Sequence, residues 1–211
     1  MALIRRSQSL QCEWGIMERG MPKDREGLEA CLFSGDVSIR RWAARDLVCC
    51  SESAPVLVER LLSEPHPVVR EAIFVSLLQI SGPIAIEGMI QCLRSESAAL
   101  RNEAIETMKN LPESIAPLMA ELLEDDDPDV RIFAVNILES LRHFKVESWL
   151  IKVISEDAHV NVCATAVDLL GEVGSFEAVE PLQELKARFA DEPYIQFAAD
   201  LALRRIEGDT Q

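Results

Sequence analysis

A pattern that returns about every 30 residues constrains the fold of this chain more than any other feature. Each copy has a polar residue, an aliphatic residue three positions later, a key position directly after that, and a small residue, usually alanine, three positions further on. The key position, which we call the ladder position, recurs at intervals of 30, 31, 30, 30 and 35 residues. Its six occupants are Arg40, Arg70, Arg101, Arg131, Asn161 and Gln196.

These columns predict one helix in every copy. The polar residue four positions before the ladder position, such as Asp36, Asp127 or Asp157, can cap a helix by accepting backbone N–H bonds. The aliphatic residue and the alanine lie four apart, on one helix face. Second helices are therefore expected to start near 37, 67, 98, 128, 158 and 193, each after an amphipathic first helix. The longer last interval predicts an insertion in or after the first helix of the sixth copy.

One such pair of short helices cannot bury its own apolar face, so successive pairs must stack. No segment has a sustained period of two, and no strand is predicted. The predicted fold class is all-α: a solenoid of six helical hairpins, forming a single domain over residues 23–211. Residues 1–22 lie outside the repeats, and the spacing of Leu10, Trp14 and Met17 predicts a helix that caps the first repeat, with an extended arm as the alternative.

The pattern resembles the HEAT repeat in its short form of about 30 residues, as in phycobilisome-lyase-like HEAT repeats. The resemblance rests on Asp127-Pro-Asp-Val-Arg131-Ile-Phe-Ala134 and on Leu170-Gly-Glu-Val-Gly174-Ser-Phe-Glu-Ala-Val-Glu-Pro-Leu182. It implies that the arginines and the capping aspartates form a ladder between neighbouring repeats. It leaves function open, because such repeats serve bilin attachment, base excision, hydroxylation and scaffolding.

Two activities that the resemblance brings in do not match this sequence. The hydroxylases hold two irons with His-Glu pairs, but here His66, His143 and His159 are followed by proline, phenylalanine and valine. The glycosylases need a basic face, whereas this chain has 21 basic and 36 acidic residues, a net charge of -15 that repels a phosphate backbone. We therefore predict no catalytic residue, no metal, no other cofactor and no nucleic-acid partner.

The compartment is predicted from what the sequence lacks. No run of about 18 apolar residues could span a bilayer, and Arg5 and Arg6 are not followed by the apolar segment of a signal peptide. The six cysteines form no C-x-x-C pair and are expected to be reduced thiols. These features predict a cytoplasmic protein with no membrane partner.

A helical wheel predicts the surface that is left to bind a partner. The residues one, five and eight positions after the ladder position lie opposite the core face and, by analogy with HEAT solenoids, on the concave side. In the last three repeats this surface is unusually apolar, which is typical of an interaction site, although the same side chains could instead bury one another. The candidate partner-binding residues are Arg41, Arg45, Val75, Ile132, Asn136, Val162, Ala166, Leu169, Phe197 and Leu201.

The function predicted from these features is a non-catalytic adaptor, chaperone or scaffold. Its partner is expected to be a protein that offers an amphipathic helix or a basic surface, because the repeats are acidic. A homodimer through Phe197 and Leu201 of the last helix is also open. The alternative is a bilin-lyase-like or other small-molecule-handling protein.

Overall fold

The computed structural model describes residue 22 and residues 24–208, so the predicted cap over residues 1–22 lies almost wholly outside the described residues. Every regular element in the described part is helical, which confirms the predicted all-α class. The helices are α1 (Arg25–Cys31), α2 (Val37–Asp46), α3 (Ala54–Ser63), α4 (Pro67–Ile80), α5 (Pro83–Leu93), α6 (Ala98–Met108), α7 (Pro112–Ile115), α8 (Met119–Leu122), α9 (Pro128–Leu138), α10 (Val146–Glu156), α11 (Val160–Val173), α12 (Val179–Arg188) and α13 (Pro193–Gly208).

These helices form the six predicted hairpins. The pairs are α1 with α2, α3 with α4, α5 with α6, α7 and α8 with α9, α10 with α11, and α12 with α13. In the fourth repeat, Pro117 lies in a 3-10 turn that divides the first helix into α7 and α8, because proline cannot donate a backbone hydrogen bond within a helix. The described residues fall into two compact parts, and the division along the chain lies between Met89 and Ile90. The prediction of a single repeat domain over 23–211 stays a prediction.

The predicted caps form at three second helices. Asp36, Ser97 and Asp127 each accept a backbone N–H bond at the start of their helix. At α4 the cap residue is His66, whose side chain makes no capping bond, and the helix starts with Pro67. Proline suits this position because its fixed φ is helical and the missing N–H would have no partner inside the helix.

The ladder arginines bind the turn that precedes their own helix. The guanidinium groups of Arg40, Arg70, Arg101 and Arg131 each donate to the carbonyl oxygen six residues earlier, at 2.9, 3.2, 2.6 and 2.7 Å. The side chain of that earlier residue accepts the backbone N–H two residues on, for example from His66 to Glu64 at 2.9 Å. Each arginine therefore fixes the turn between the first and second helix of its repeat.

Two ladder arginines also bind the next repeat. Arg40 donates to both carboxylate oxygens of Glu64, at 2.8 and 2.9 Å, and Arg131 donates to both oxygens of Asp157, at 2.7 and 3.1 Å. Paired bonds of this kind have the geometry that a planar guanidinium favours. The ladder implied by the resemblance is thus present, although its acceptors are residues of the inter-helix turns and not the capping aspartates.

The fifth repeat corrects the sequence alignment. Helix α11 starts at Val160, two residues later than predicted, and its cap position is His159. Asp157 is not the cap: its Oδ1 accepts the N–H of His159 at 2.8 Å, the role that Glu64 has in the second repeat. The residue whose side chain reaches the carbonyl six positions earlier is Cys163, with its sulfur 3.3 Å from the oxygen of Asp157. Cys163, and not Asn161, therefore occupies the ladder position, and the last two intervals become 32 and 33 residues.

Candidate protein-binding surface

The corrected register gives each second helix an accessible face. When Cys163 is counted as the ladder residue, both the first and the fifth residue after every ladder position are exposed or half-buried. We call these residues the second-helix face. They are Arg41, Arg45, Glu71, Val75, Asn102, Glu106, Ile132, Asn136, Ala164, Asp168, Phe197 and Leu201.

Most of the residues predicted for partner binding lie on this face. Arg41, Arg45, Val75, Phe197 and Leu201 are exposed. Two others, Ile132 and Asn136, are half-buried.

The prediction fails in α11. Val162 and Ala166 are both 0% exposed, and Leu169 is 8% exposed. Helix α11 packs against α9, α10 and α13. Because the sequence alignment of this helix was wrong by two residues, residues of its core side were predicted to lie on the binding surface. Four polar residues of α11 that reach solvent, Asn161, Thr165, Asp168 and Glu172, have the spacing of one helix face.

In the part up to Met89, the second-helix face carries charges of both signs. Arg41 and Arg45 are exposed on α2, and Glu71 and Val75 are exposed on α4. Below them, Arg40, Arg60 and Glu64 form a buried ion cluster. Burial alone would raise the pKa of the Glu64 carboxyl, but bonds from Arg40, the His66 N–H and Arg60 lower that pKa to about 2. The cluster therefore joins α2 to α3 and to the turn that follows α3.

In the part from Ile90 onward, the second-helix face contains an acidic pocket. The pocket has a volume of about 220 Å³ and lies between α9 and α11. Glu139, Asp168 and Glu172 supply three carboxylates, of which Glu139 is paired with the ammonium of Lys109 at 3.1 Å. Leu169, one of the predicted residues, lines the pocket from α11. Asn136 and Thr165 add polar groups. We call this the acidic pocket.

An apolar ridge on α13 adjoins the acidic pocket. The hydroxyl of Tyr194 donates to Oδ2 of Asp168 at 2.7 Å, which joins the two features directly. This hydrogen bond to the carboxylate raises the pKa of Tyr194 above its ordinary value. Phe197 is 66% exposed, and Tyr194 and Leu201 are also exposed on this helix. Sequence reasoning missed Thr165, Asp168, Glu172 and Tyr194, and only the register of α11 could have indicated the first three.

Four cysteines are free thiols: Cys31, Cys50, Cys92 and Cys163. Burial raises the pKa of Cys92 to about 12. Among the described residues, no group of three or more histidine, cysteine, aspartate or glutamate side chains could hold a metal ion, and no helix is long and apolar enough to cross a bilayer.

The fold defines the class of this protein as an α-helical repeat protein. The family model for HEAT repeats matches residues 25–109 and 115–204, so the chain belongs to the HEAT-repeat family. No curated protein matches the sequence.

Solved structures of repeat proteins resemble the chain more distantly. An engineered protein is 21% identical, with 88% of this chain and 97% of that chain covered and a TM-score of 0.43. A designed armadillo repeat protein in complex with the peptide (KR)4 is 19% identical, with 85% and 98% covered and a TM-score of 0.40. The complex of CpcE and CpcF of phycocyanin lyase from Nostoc sp. PCC7120 is 18% identical, with 90% and 96% covered and a TM-score of 0.34.

Proposed function

We propose that this protein is a non-catalytic scaffold that binds a basic, amphipathic segment of a partner protein on the second-helix face of its C-terminal part. The observation that carries the proposal is the acidic pocket joined by Tyr194 to the exposed ridge of Phe197 and Leu201. An apolar surface bordered by charge is typical of an interaction site. A helix with leucines on one side and lysines on the other would match both features.

The proposal has a direct binding test with two probe peptides. One is a helical peptide of leucine and lysine with an apolar face, and the other has every lysine replaced by glutamate. We expect the lysine peptide to bind the full-length protein at least tenfold more tightly, because the pocket carboxylates attract it and repel its acidic counterpart. Equal binding of the two peptides, or tighter binding of the acidic one, would overturn the proposal.

Variants locate the binding surface. Phe197→Asp and the pair Asp168→Lys with Glu172→Lys are each expected to weaken binding at least tenfold, and circular dichroism checks that they fold. Phe176→Asp is the matched control, because Phe176 is 59% exposed but lies in the turn before α12. Binding that survives the first two changes would contradict the proposed surface.

An absorbance spectrum of the protein purified from its native cells distinguishes the scaffold from the alternative, a bilin-handling protein. A colourless protein that retains the lysine-peptide affinity agrees with the scaffold. A tetrapyrrole absorbance band would instead favour the bilin-handling alternative. In that case, competition between the pigment and the lysine peptide would test whether both bind the same surface.

A further inference from the structure

A second groove lies on the other side of the C-terminal part, among its first helices. It has a volume of about 510 Å³ and is lined by α8, α10 and the turns that follow each of them. Trp149 and Ala120 lie in its lining, and Glu124, Asp126 and Glu156 contribute exposed carboxylates. We call it the Trp149 groove. None of these residues belongs to the second-helix face.

The Trp149 groove adjoins a second cavity of mixed lining. This cavity of about 330 Å³ shares Ala120 and Trp149 with the groove. Pro112, Pro117 and Phe144 form an apolar part of its lining, and Glu113, Arg142 and Lys145 add charged groups. The break of the first helix at Pro117 and the connection before α10 give this cavity its walls. The two cavities together form a channel.

An aromatic stack stands along this channel. The rings of His143 and Trp149 are 5.1 Å apart and nearly parallel, at 8°. Phe144 also stacks on His143, with ring centres 4.5 Å apart. Phe144 is 86% exposed, more than any other large apolar side chain in the described residues. Aromatic ring faces attract cations, and the ammonium of Lys145 already lies 5.9 Å from the centre of the Phe144 ring. Trp149 is the ring of the stack that lines the Trp149 groove.

The charges of the Trp149 groove favour the same kind of ligand. Arg94 forms two bonds to Asp125, and Arg131 forms two bonds to Asp157, so these carboxylates are neutralised. The ammonium of Lys152 pairs with Glu124 and lies 3.9 Å from Glu156, and it balances one of them. The carboxylate of Asp126 and one glutamate charge are left over. The groove therefore has a net negative charge beside an aromatic ring.

We infer that the Trp149 groove binds an extended segment of a partner protein that carries a lysine or arginine. The cation lies between the indole of Trp149 and the carboxylates of Asp126 and Glu156. An apolar side chain of the same segment lies in the neighbouring cavity, against Pro117 and Phe144. This site is separate from the second-helix face and gives the scaffold a second point of attachment.

The test is a selection of displayed random 12-residue peptides on the full-length protein, with removal of those that also bind the Asp126→Lys, Glu156→Lys double variant. Both substituted residues are exposed, so the variant is expected to fold. We expect the surviving peptides to contain a lysine or arginine near an apolar residue. A selection that yields no such peptide, or that yields acidic or purely apolar ones, overturns the inference.

Affinities of a selected peptide then identify the site. Trp149→Ala and Ala120→Arg are each expected to weaken binding at least tenfold, whereas Phe197→Asp is expected to leave it within twofold. If Trp149→Ala does not fold, Ala120→Arg decides alone, because Ala120 is an exposed residue of the groove lining. A peptide whose affinity is unchanged by Ala120→Arg overturns the inference. A peptide that loses affinity only in Phe197→Asp binds the second-helix face, which contradicts this inference while agreeing with the proposed function.

Discussion

The guanidinium of Arg188 lies against the sulfur of Cys163, with its Nη2 at 3.5 Å. The same guanidinium donates to the carbonyl oxygens of Ile154 and Asp157, at 2.6 and 3.0 Å, and to that of Ser155. Asp157 lies in the turn that a ladder arginine holds in the first four repeats, and Ile154 and Ser155 lie in the last turn of α10. Arg188 lies at the end of α12, in the next repeat. It therefore supplies the positive charge that an arginine at the position of Cys163 would supply.

Arg188→Ala is expected to lower the free energy of unfolding by about 1–3 kcal/mol, because three carbonyl oxygens lose a charged donor. Arg204→Ala is the control, since Arg204 is an exposed arginine of α13. The melting temperatures of the two variants, measured side by side, test whether Arg188 takes the role that a ladder arginine has in the other repeats. Equal melting temperatures for the two variants would contradict it.

The ladder predicts unequal costs for two arginines of the C-terminal part. Arg131 donates to two carbonyls and to both oxygens of Asp157, whereas Arg101 donates to the carbonyl of Ser95 and lies over the ring of Phe133. Arg131→Ala strands a carboxylate that is mostly buried and should lower stability more than Arg101→Ala, by about 1–2 kcal/mol. Chemical denaturation gives both values, and the reverse order would count against the ladder as the stabilising device.

The corrected register of α11 predicts which aspartate substitution the fold tolerates. Val162→Asp places a charge at a position with no exposure and should cost about 3 kcal/mol or more. Thr165→Asp, at a half-exposed position three residues on, should change stability by less than about 1 kcal/mol. Circular dichroism and thermal melts of the two variants decide, and a folded Val162→Asp protein of normal stability would restore the original register.

Glu64 predicts an acid-dependent loss of stability. Its folded-state pKa of about 2 lies below the unfolded value of about 4.3, so its contribution is complete above about pH 5 and is lost as the pH falls toward 2. In Glu64→Gln this contribution is absent at every pH. The gap in unfolding free energy between the wild type and this variant should therefore narrow by about 3 kcal/mol between pH 6 and pH 2. A gap that does not change with pH would show that folding does not lower the pKa of Glu64.

Gly88 lies where α5 packs closely against Val58 of α3, so a larger residue at this position should not fit. A Cβ atom at this position would lie 2.2 Å from Cγ2 of Val58, which is closer than atoms can approach. Gly88→Ala is therefore expected to destabilise the protein by about 1–3 kcal/mol, although alanine normally favours a helix over glycine. Gly35→Ala is the control, because a Cβ there meets nothing within 4 Å. A more stable Gly88→Ala protein would show that α3 and α5 can move apart.

The sequence predicted the six hairpins because spacing, caps and core residues all repeat with the arginines. It misplaced the fifth repeat because Asn161 also has an aliphatic residue before it and an alanine three positions after it. Asp157 then resembled a helix cap, whereas it is the carboxylate that binds Arg131. The lengthening was consequently assigned to the sixth repeat alone.

The acidic pocket, its neighbouring ridge and the Trp149 groove could be predicted from the sequence only in part. Phe197 and Leu201 were found from the helical wheel, but the acidic pocket combines α9 with the misaligned α11. The stack of His143, Phe144 and Trp149 depends on the irregular connection before α10, where no periodicity guides a prediction. Contacts made by irregular segments depend on backbone geometry that a repeat pattern does not encode.

The arginine and carboxylate of a rung belong to successive repeats, as in Arg40 with Glu64 and Arg131 with Asp157. A repeat that takes part in this ladder has a carboxylate in its turn, which binds the arginine of the repeat before it. It also has an arginine in its second helix, which binds the carboxylate of the repeat after it. The second and the fourth repeat each carry both groups, Glu64 with Arg70 and Asp125 with Arg131. Duplicating either of these copies would place an arginine opposite a carboxylate at the new junction. A gene can therefore lengthen such an array by one of these copies, of about 30 residues, without stranding a buried charge, whereas an exchange that starts in mid-repeat would separate the two groups.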